Sequence, residues 1–498
     1  MDTQPTTNNQ QPTTNQEVGY VKSSRSYLVR LEGLPTVHIN DLVESDKGDK
    51  GLVNTLYGDE IEILMLSESI IYPGQMFKKT GQNLSITVGD FLLGRSINPL
   101  GVPIDGKGIL SKSLASQTLP LDHPARGIDA REFITEQLLS GVTLIDQLIP
   151  IGKGQRELIL GDEHSGKTAF LINMIVNQNP SPASGQVVCI YGAIGKPATA
   201  IKNLINALTV NKAMSHSVIV ASSSTEPGPL IFLTPMAALS IAEYFQSKGS
   251  DVLLILDDMG NHAKIYREIA LLGGKSPGRE SYPGDIFYQH AKLMERAGKY
   301  NKKNGGGSIT TLPVMELSLN DFTGFIPTNL MSITDGHLLF KSNLYSKNQR
   351  PAIDISLSVS RVGRQTQKLV SSLLSRRIRQ ILGQATDLET LSQFSTELPP
   401  QTQLILRQRN LIEEIIKQDD LTHIFLPIQT ILLALVFTSL LQDKDDLFLR
   451  KYKNTLVKAF SQDPELLKIS RQALEFKNDT DLIQALEKEV PRLKEICK

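Results

Sequence analysis

Residues 157–176 read ELILGDEHSGKTAFLINMIV. An apolar run suited to a buried strand leads into Gly161, Asp162, Glu163, His164, Ser165, Gly166, Lys167 and Thr168, and a helix-forming run follows. The eight residues fit G-x-x-x-x-G-K-[ST], and both flanks are of the kind that motif requires. Gly161 and Gly166 let the backbone turn tightly enough to aim N–H groups at phosphate oxygens, and the helix start adds its positive dipole end. Lys167 is placed to reach the terminal phosphates and Thr168 to put its hydroxyl on Mg²⁺. The alternative is a glycine-containing turn with no ligand, which the two matching flanks disfavour.

Working outward, compact apolar runs alternate with helical segments from about Gly89 to Val370: QVVCIYGAIG, SVIVAS and DVLLILDD each precede a helical stretch. That order is the signature of a parallel sheet buried on both faces. The run Val252–Leu256 ends in Asp257-Asp258, a strand carrying a carboxylate toward the edge that holds the phosphate loop. Asp257 is therefore expected to hold the Mg²⁺ ion through a water, although an Asp pair at a strand end is also a common turn.

A hydrolytic site needs a group that polarises the attacking water, commonly a Glu at the end of a neighbouring strand. Here QVVCIYGAIG is followed by Lys196-Pro197. A protonated lysine is no base, though it can pair with a phosphate. Glu163 lies among groups that must face phosphates and would repel them. The chain is expected to bind nucleotide and to hydrolyse it poorly or not at all.

At 498 residues the chain exceeds what one core supports. Residues 1–17 are Thr, Asn, Gln and Pro with almost nothing apolar, a composition expected to stay disordered. Residues 18–88 carry short runs such as VGYV, SYLVRL, IEILML and LSITV between turn residues, which predict a small antiparallel barrel or sandwich. Residues 371–498 read at helical period throughout. The 52 Lys and Arg cancel the 52 Asp and Glu, so there is no global field for nucleic acid. Two cysteines, Cys189 and Cys497, make neither a disulfide framework nor a metal cluster, and they suit a reducing compartment. The N-terminus lacks the basic and apolar regions of a signal peptide, so the product is expected in the cytosol. Ile424–Leu441 carries no charge, but its Pro, Gln, Thr and Ser residues favour a buried bundle helix over a membrane span.

The stretches GQRELILGDEHSGKTAF, PGRESYPGDIFYQHAKLMERAGK, GGGSITTLP, IPTNLMSITDG and RPAIDISLSVSRVG, with VGDFLLGRSINPLGVPIDGKG nearer the N-terminus, together resemble the alpha subunit of F-type ATP synthases. The resemblance covers roughly residues 18–498. It implies a multidomain chain: an N-terminal antiparallel β-barrel, a central RecA-like α/β P-loop NTPase domain and a C-terminal α-helical bundle. It also implies ATP or ADP with Mg²⁺ as ligands and three alpha subunits alternating with three catalytic beta-type subunits around a gamma-type central stalk. Peripheral-stalk subunits hold that ring on the cytoplasmic side of an energy-coupling membrane, where proton or sodium transport is coupled to ATP synthesis or hydrolysis. The membrane is touched only through the ion-translocating sector.

Residue by residue, the resemblance implies that Arg361 reaches into the neighbouring beta site as an arginine finger and that Ser358 holds its segment. Tyr345, Arg350 and Gln418 match residues near the adenine, with Tyr345 in place of a phenylalanine and Asp420 in place of a second glutamine. Lys196 stands where the family's alpha subunit has glutamine. Glu163 and His164 replace a basic residue and a glutamine in the loop. Pro277–Asp285 resembles the loop lining the sleeve around the rotating stalk. The polar tail lacks the amphipathic face that normally docks the peripheral stalk, so the stator connection is expected to differ. Two other readings fit parts of the chain: an alpha-like paralogue in a rotary-like ATPase not coupled to ion transport, and a homohexameric RecA-type motor. The missing carboxylate opposes the latter.

Overall fold

The computed structural model describes residues 17–111, 115–178, 187–317, 321–392 and 399–498. The expected disordered tail, and with it the question of docking through that tail, lies outside these residues up to position 16. From Val18 to Asn83 six strands close into an antiparallel barrel. Around the barrel the order is Val18–Arg25, Leu28–Gly33, Glu60–Met65, Lys50–Tyr57, Asp41–Ser45 and Met76–Asn83. The last strand pairs with the first, Val18 facing Lys78. Alternating side chains fill the interior, and Val29, Leu31, Val43, Val53, Ile63 and Phe77 are fully buried there. The tight turn between Tyr57 and Glu60 uses Gly58 at φ 46°, a left-handed position that glycine adopts without strain.

The next strand, Ser85–Val88, leaves the barrel and pairs with Gln117–Pro120 in a separate two-stranded sheet. The central sheet has nine strands. Its path runs Val359–Ser360, Gly336–Phe340, Glu157–Asp162, Ser308–Leu317, Asp251–Asp257, Val187–Lys196, Ser217–Ser223 and Ser96–Ile97, with Gly298–Lys299 paired onto Ser308–Leu317. Every pairing from Gly336–Phe340 to Ser96–Ile97 is parallel. Helices cover both faces, so the strands read as continuous apolar runs; Val187–Gly195 is buried at every position. Because the strands run together, Asp162, Lys196, Ser223, Asp257 and Leu317 end at the same edge, where open α/β sheets bind ligands.

A buried polar network ties the segment after Gln117–Pro120 onto this domain. Arg296, 2% exposed, donates to both oxygens of Glu243 at 2.8 Å, to the Leu121 carbonyl and to Ser240 Oγ. His123 Nε2 lies 2.9 Å from the same carboxylate. Burial works against the charge on Glu243, yet the bonds from Arg296 and His123 hold its carboxyl down at about 2.

Among the described residues from Leu369 onward, the helices are Leu369–Ser392, Pro400–Ile416, Leu426–Leu435, Asp446–Gln462, Pro464–Gln472 and Asp479–Ile496. The uncharged stretch at 424–441 is mostly buried within this bundle, with Phe425 and Ser439 exposed, but only Leu426–Leu435 of it is α-helix. Pro427 fits the first turn, and the far end stops where Thr438 Oγ1 donates to the Leu435 carbonyl and Ser439 N donates to Glu487. Among the described residues one helix, Gly228–Ser247, is long and apolar enough to cross a membrane; 94% of its apolar window is buried in the protein core.

Two outcomes follow from this packing. Arg296→Met leaves Glu243 buried without its main partner, and chemical denaturation is expected to show a loss of roughly 3–5 kcal/mol. In the second, burial depresses His262, which lies 3.4 Å from His290, to about 4. The neutral form is therefore favoured in the folded state, and the stabilisation is full above the ordinary histidine value of 6.5 and is lost as pH falls toward 4. The thermal midpoint is expected to drop between about pH 7 and about pH 5, with a flatter profile for His262→Gln.

Candidate functional site

The strand Glu157–Asp162 delivers the motif to the sheet edge and the helix Lys167–Val176 takes it away. All eight loop residues, Gly161 to Thr168, lie on this turn. Gly161 is pressed against the neighbouring strand: a Cβ there would lie 2.6 Å from Phe340 Cβ and 2.7 Å from the Phe340 carbonyl oxygen. Gly166 has φ 89°, the left-handed conformation that starts the helix. Ser165 Oγ donates to the Asp162 carbonyl at 2.7 Å and closes the loop. Glu163 and His164 project into solvent, away from the loop's interior, so Glu163 is not placed as a base.

Lys167 Nζ is folded back onto the carbonyls of Gly161, at 2.8 Å, and Asp162. Its side chain is mostly buried, and burial lowers its pKa. Those two carbonyls are modest partners for an ammonium, and phosphate oxygens are stronger ones.

Asp257 ends its strand at the same edge and is 4% exposed. Both carboxylate oxygens are engaged: Lys196 Nζ is 2.8 Å from Oδ1 and the Tyr191 hydroxyl donates to Oδ2 at 2.6 Å. Burial opposes the charge on Lys196, but Asp257, and behind it Asp258 and Glu316, raise its pKa above the ordinary lysine value. Asp258 has a separate task, accepting from Asn261 N at 2.6 Å as the cap of the helix Met259–Leu272. This donor set does not fit Mg²⁺ in the expected way. Thr168 is exposed at the helix start, but the carboxylate meant to complete the pair is already neutralised by an ammonium.

Tyr345, Arg350, Gln418 and Asp420 come together with Gly166, Phe170 and Asn173 around one cleft beside the phosphate loop. The Arg350 guanidinium lies 5.0 Å from the centre of the Tyr345 ring and 3.7 Å from Asp420 Oδ2. Gln418 lines the cleft, but its amide is spent. Its oxygen accepts from Thr143 N and Oγ1, both at 3.1 Å, and its nitrogen donates to the carbonyls of Gly141 and Thr422, both at 2.7 Å. It joins the helical domain to the segment 141–143 and has no hydrogen left to offer a base.

Arg361 lies elsewhere. Val359–Ser360 pairs antiparallel with the start of Gly336–Phe340, Ser360 facing Gly336, and Gly336 faces Glu157 on the phosphate-loop strand. Arg361 therefore emerges at the opposite end of the sheet from Gly161, four residues or about 13 Å along the strand. Its side chain is exposed, and its backbone N–H donates to the Asp335 carbonyl at 3.0 Å. Ser358, buried, accepts from Leu339 N at 3.0 Å and donates to the Asp354 carbonyl at 2.6 Å, which fixes the segment leading to Arg361.

Two groups at the site escaped sequence reading. Tyr191 lies inside an apolar strand, where a tyrosine reads as packing, and only the pairing of Val187–Lys196 with Asp251–Asp257 brings its hydroxyl to Asp257. Glu316 faces Gly161 across two paired strands, so a search confined to the loop and the two strands carrying Lys196 and Asp257 passes over it.

The chain is also similar to known proteins. Residues 141–360 match the model of the ATP synthase alpha/beta family, nucleotide-binding domain, and residues 367–490 match that of the ATP synthase alpha/beta chain, C terminal domain. The chain is similar to ATP synthase subunit alpha 1 of Mycoplasmopsis pulmonis, 38% identical over 96% of this chain and 89% of that one. It is also similar to ATP synthase subunit alpha of Clostridium botulinum, 38% identical over 92% and 89%. ATP synthase subunit alpha of Mesomycoplasma hyopneumoniae is 38% identical over 91% and 88%.

Gly161→Ala forces a methyl group onto the Phe340 backbone. Thermal and denaturant unfolding are expected to show a loss of about 1–3 kcal/mol, and ATP titration a loss of binding, because the loop cannot keep its place.

Proposed function

The chain belongs to the ATP synthase alpha/beta family, and from that premise we propose that it is an alpha-type subunit that binds ATP or ADP without hydrolysing it. In this reading it completes the catalytic site of an adjacent beta-type subunit. The observation that carries the proposal is the placing of Arg361, exposed and at the end of the sheet away from the chain's own phosphate loop. A guanidinium there has no phosphate of its own chain to serve, and a planar, permanently charged fork is suited to a γ-phosphoryl group presented by a neighbour. Ser358 positions that segment.

At the strand end where a base would stand, the chain has a lysine. Lys196 ends the strand at which a carboxylate would polarise water, and its ammonium is bound to Asp257. Nucleotide is held by the backbone of Gly161–Thr168, by Lys167, and by Tyr345 and Arg350 around the adenine. The Mg²⁺ ion expected beside Thr168 is not needed for any step assigned here.

The ring is an alternation of three such chains with three beta-type catalytic subunits. Pro277–Asp285 faces a gamma-type stalk, and peripheral-stalk subunits hold the assembly at the cytoplasmic side of an energy-coupling membrane. Stiffness of that loop supports its role. Tyr266 donates to Asp285 at 2.6 Å, and the Arg267 guanidinium stacks 4.7 Å from the Tyr282 ring, so the loop is braced from the helix behind it. Work at the beta sites is coupled to proton or sodium transport through the membrane sector.

Arg361→Ala is expected to lower ATP turnover of the assembled complex by roughly 10³- to 10⁵-fold while leaving nucleotide binding by this chain unchanged. Steady-state hydrolysis and equilibrium binding on the same preparation check both halves. Near-normal turnover would remove the role in trans.

A further inference from the structure

The pairing of Lys196 with Asp257 has a consequence for the ligand that the site selects. We propose that Lys196 replaces the divalent cation at this site, so that the chain binds free nucleoside triphosphate as well as it binds the magnesium complex. The inference rests on the nucleotide-binding reading above and deepens it.

Three observations carry it. Asp257, the carboxylate expected to hold a metal-bound water, is engaged on both oxygens, by an ammonium at 2.8 Å on one and a phenol at 2.6 Å on the other. Lys196 is not a surface lysine that happens to touch it: the ammonium is drawn inward at the end of a buried strand, one strand away from Asp257, with Ala193 and Asp257 as register partners. Lys167 starts the helix that follows Glu157–Asp162 and Lys196 ends Val187–Lys196, and the parallel pairing of the strands between them brings both cations to the same end of the sheet.

A divalent ion placed where Thr168 and Asp257 could both serve it would sit against the Lys196 ammonium and have to displace it. A triphosphate arriving alone meets no such conflict. Its terminal oxygens can take Lys167, released from the weak carbonyl partners of the loop, while Lys196 keeps Asp257 on one hydrogen and offers phosphate another, since an ammonium has three to give. The anion is then neutralised by two fixed lysines and the helix start. Tyr191 is a positioning residue here: it anchors the second oxygen of Asp257 and so fixes where Lys196 is held.

The test is equilibrium titration of the full-length chain with ATP, in excess Mg²⁺ and again in EDTA, for the natural sequence and for Lys196→Gln, with circular dichroism confirming that both are folded. For the natural chain the two dissociation constants are expected to agree within about threefold. Lys196→Gln is expected to weaken binding in EDTA by tenfold or more and to bind far better when Mg²⁺ is supplied. A tenfold or greater loss on adding EDTA to the natural chain would overturn the proposal without need of the variant. So would a Lys196→Gln protein whose affinity in EDTA is unchanged. No ATP binding in either condition would instead remove the nucleotide-binding reading itself, and the inference with it.

Discussion

The parallel pairing of Glu157–Asp162 with Gly336–Phe340 on one side and Ser308–Leu317 on the other constrains everything that the site can do. Parallel strands share a direction, so every residue that ends a strand arrives at one edge, and every residue that begins one arrives at the other. Gly161 faces Phe340 and Glu316 at the first edge, while Glu157 faces Gly336 at the second. Through the short edge strand at Val359–Ser360, Arg361 is bound to the second edge. Phosphate loop and arginine thus lie at opposite ends of one sheet, which suits the proposed subunit that shares its arginine and keeps its loop.

Within the loop edge, charge decides the chemistry. A carboxylate at the end of Val187–Lys196 would be suited to polarising water, whereas a lysine is suited to holding an anion. The lysine is paired with Asp257, so in the proposed reading one residue type at position 196 both stands in place of a base and occupies the carboxylate expected to serve a metal. The cleft beside the loop shows a similar economy. Gln418 spends its whole amide joining the helical domain to residues 141–143, which keeps the cleft walls together and leaves Tyr345, Arg350 and Asp420 as the groups able to meet a base.

Much of this was legible in the sequence where the signal is local. The strand–turn–helix of the loop needs only its own eight residues and their flanks, and the lysine that ends the YGAIG strand is read directly at position 196. The barrel strands announce themselves by alternation and the terminal helices by their period. What was not legible depends on neighbours distant in the chain. The engagement of Asp257 by Tyr191 and Lys196 follows from which strands lie side by side, and the engagement of Gln418 from how the bundle docks. The uncharged stretch at 424–441 gave its burial correctly but not its length of helix, because the ending is made by Thr438 and by Glu487 of a different helix. The role proposed for Arg361 rests on family resemblance, since an arginine at a strand end has no local mark; the sheet register sets it at the end of the sheet away from the loop.

The central claim is that this chain holds nucleotide and lends its arginine, with no hydrolytic centre of its own. The most direct measurement is single-turnover ATP hydrolysis by the purified chain, saturated with radiolabelled ATP, first alone and then with a beta-type partner added. The account predicts bound, intact ATP in the first case and phosphate release only in the second. Phosphate released by the chain alone, at a rate comparable to the mixture, would contradict it.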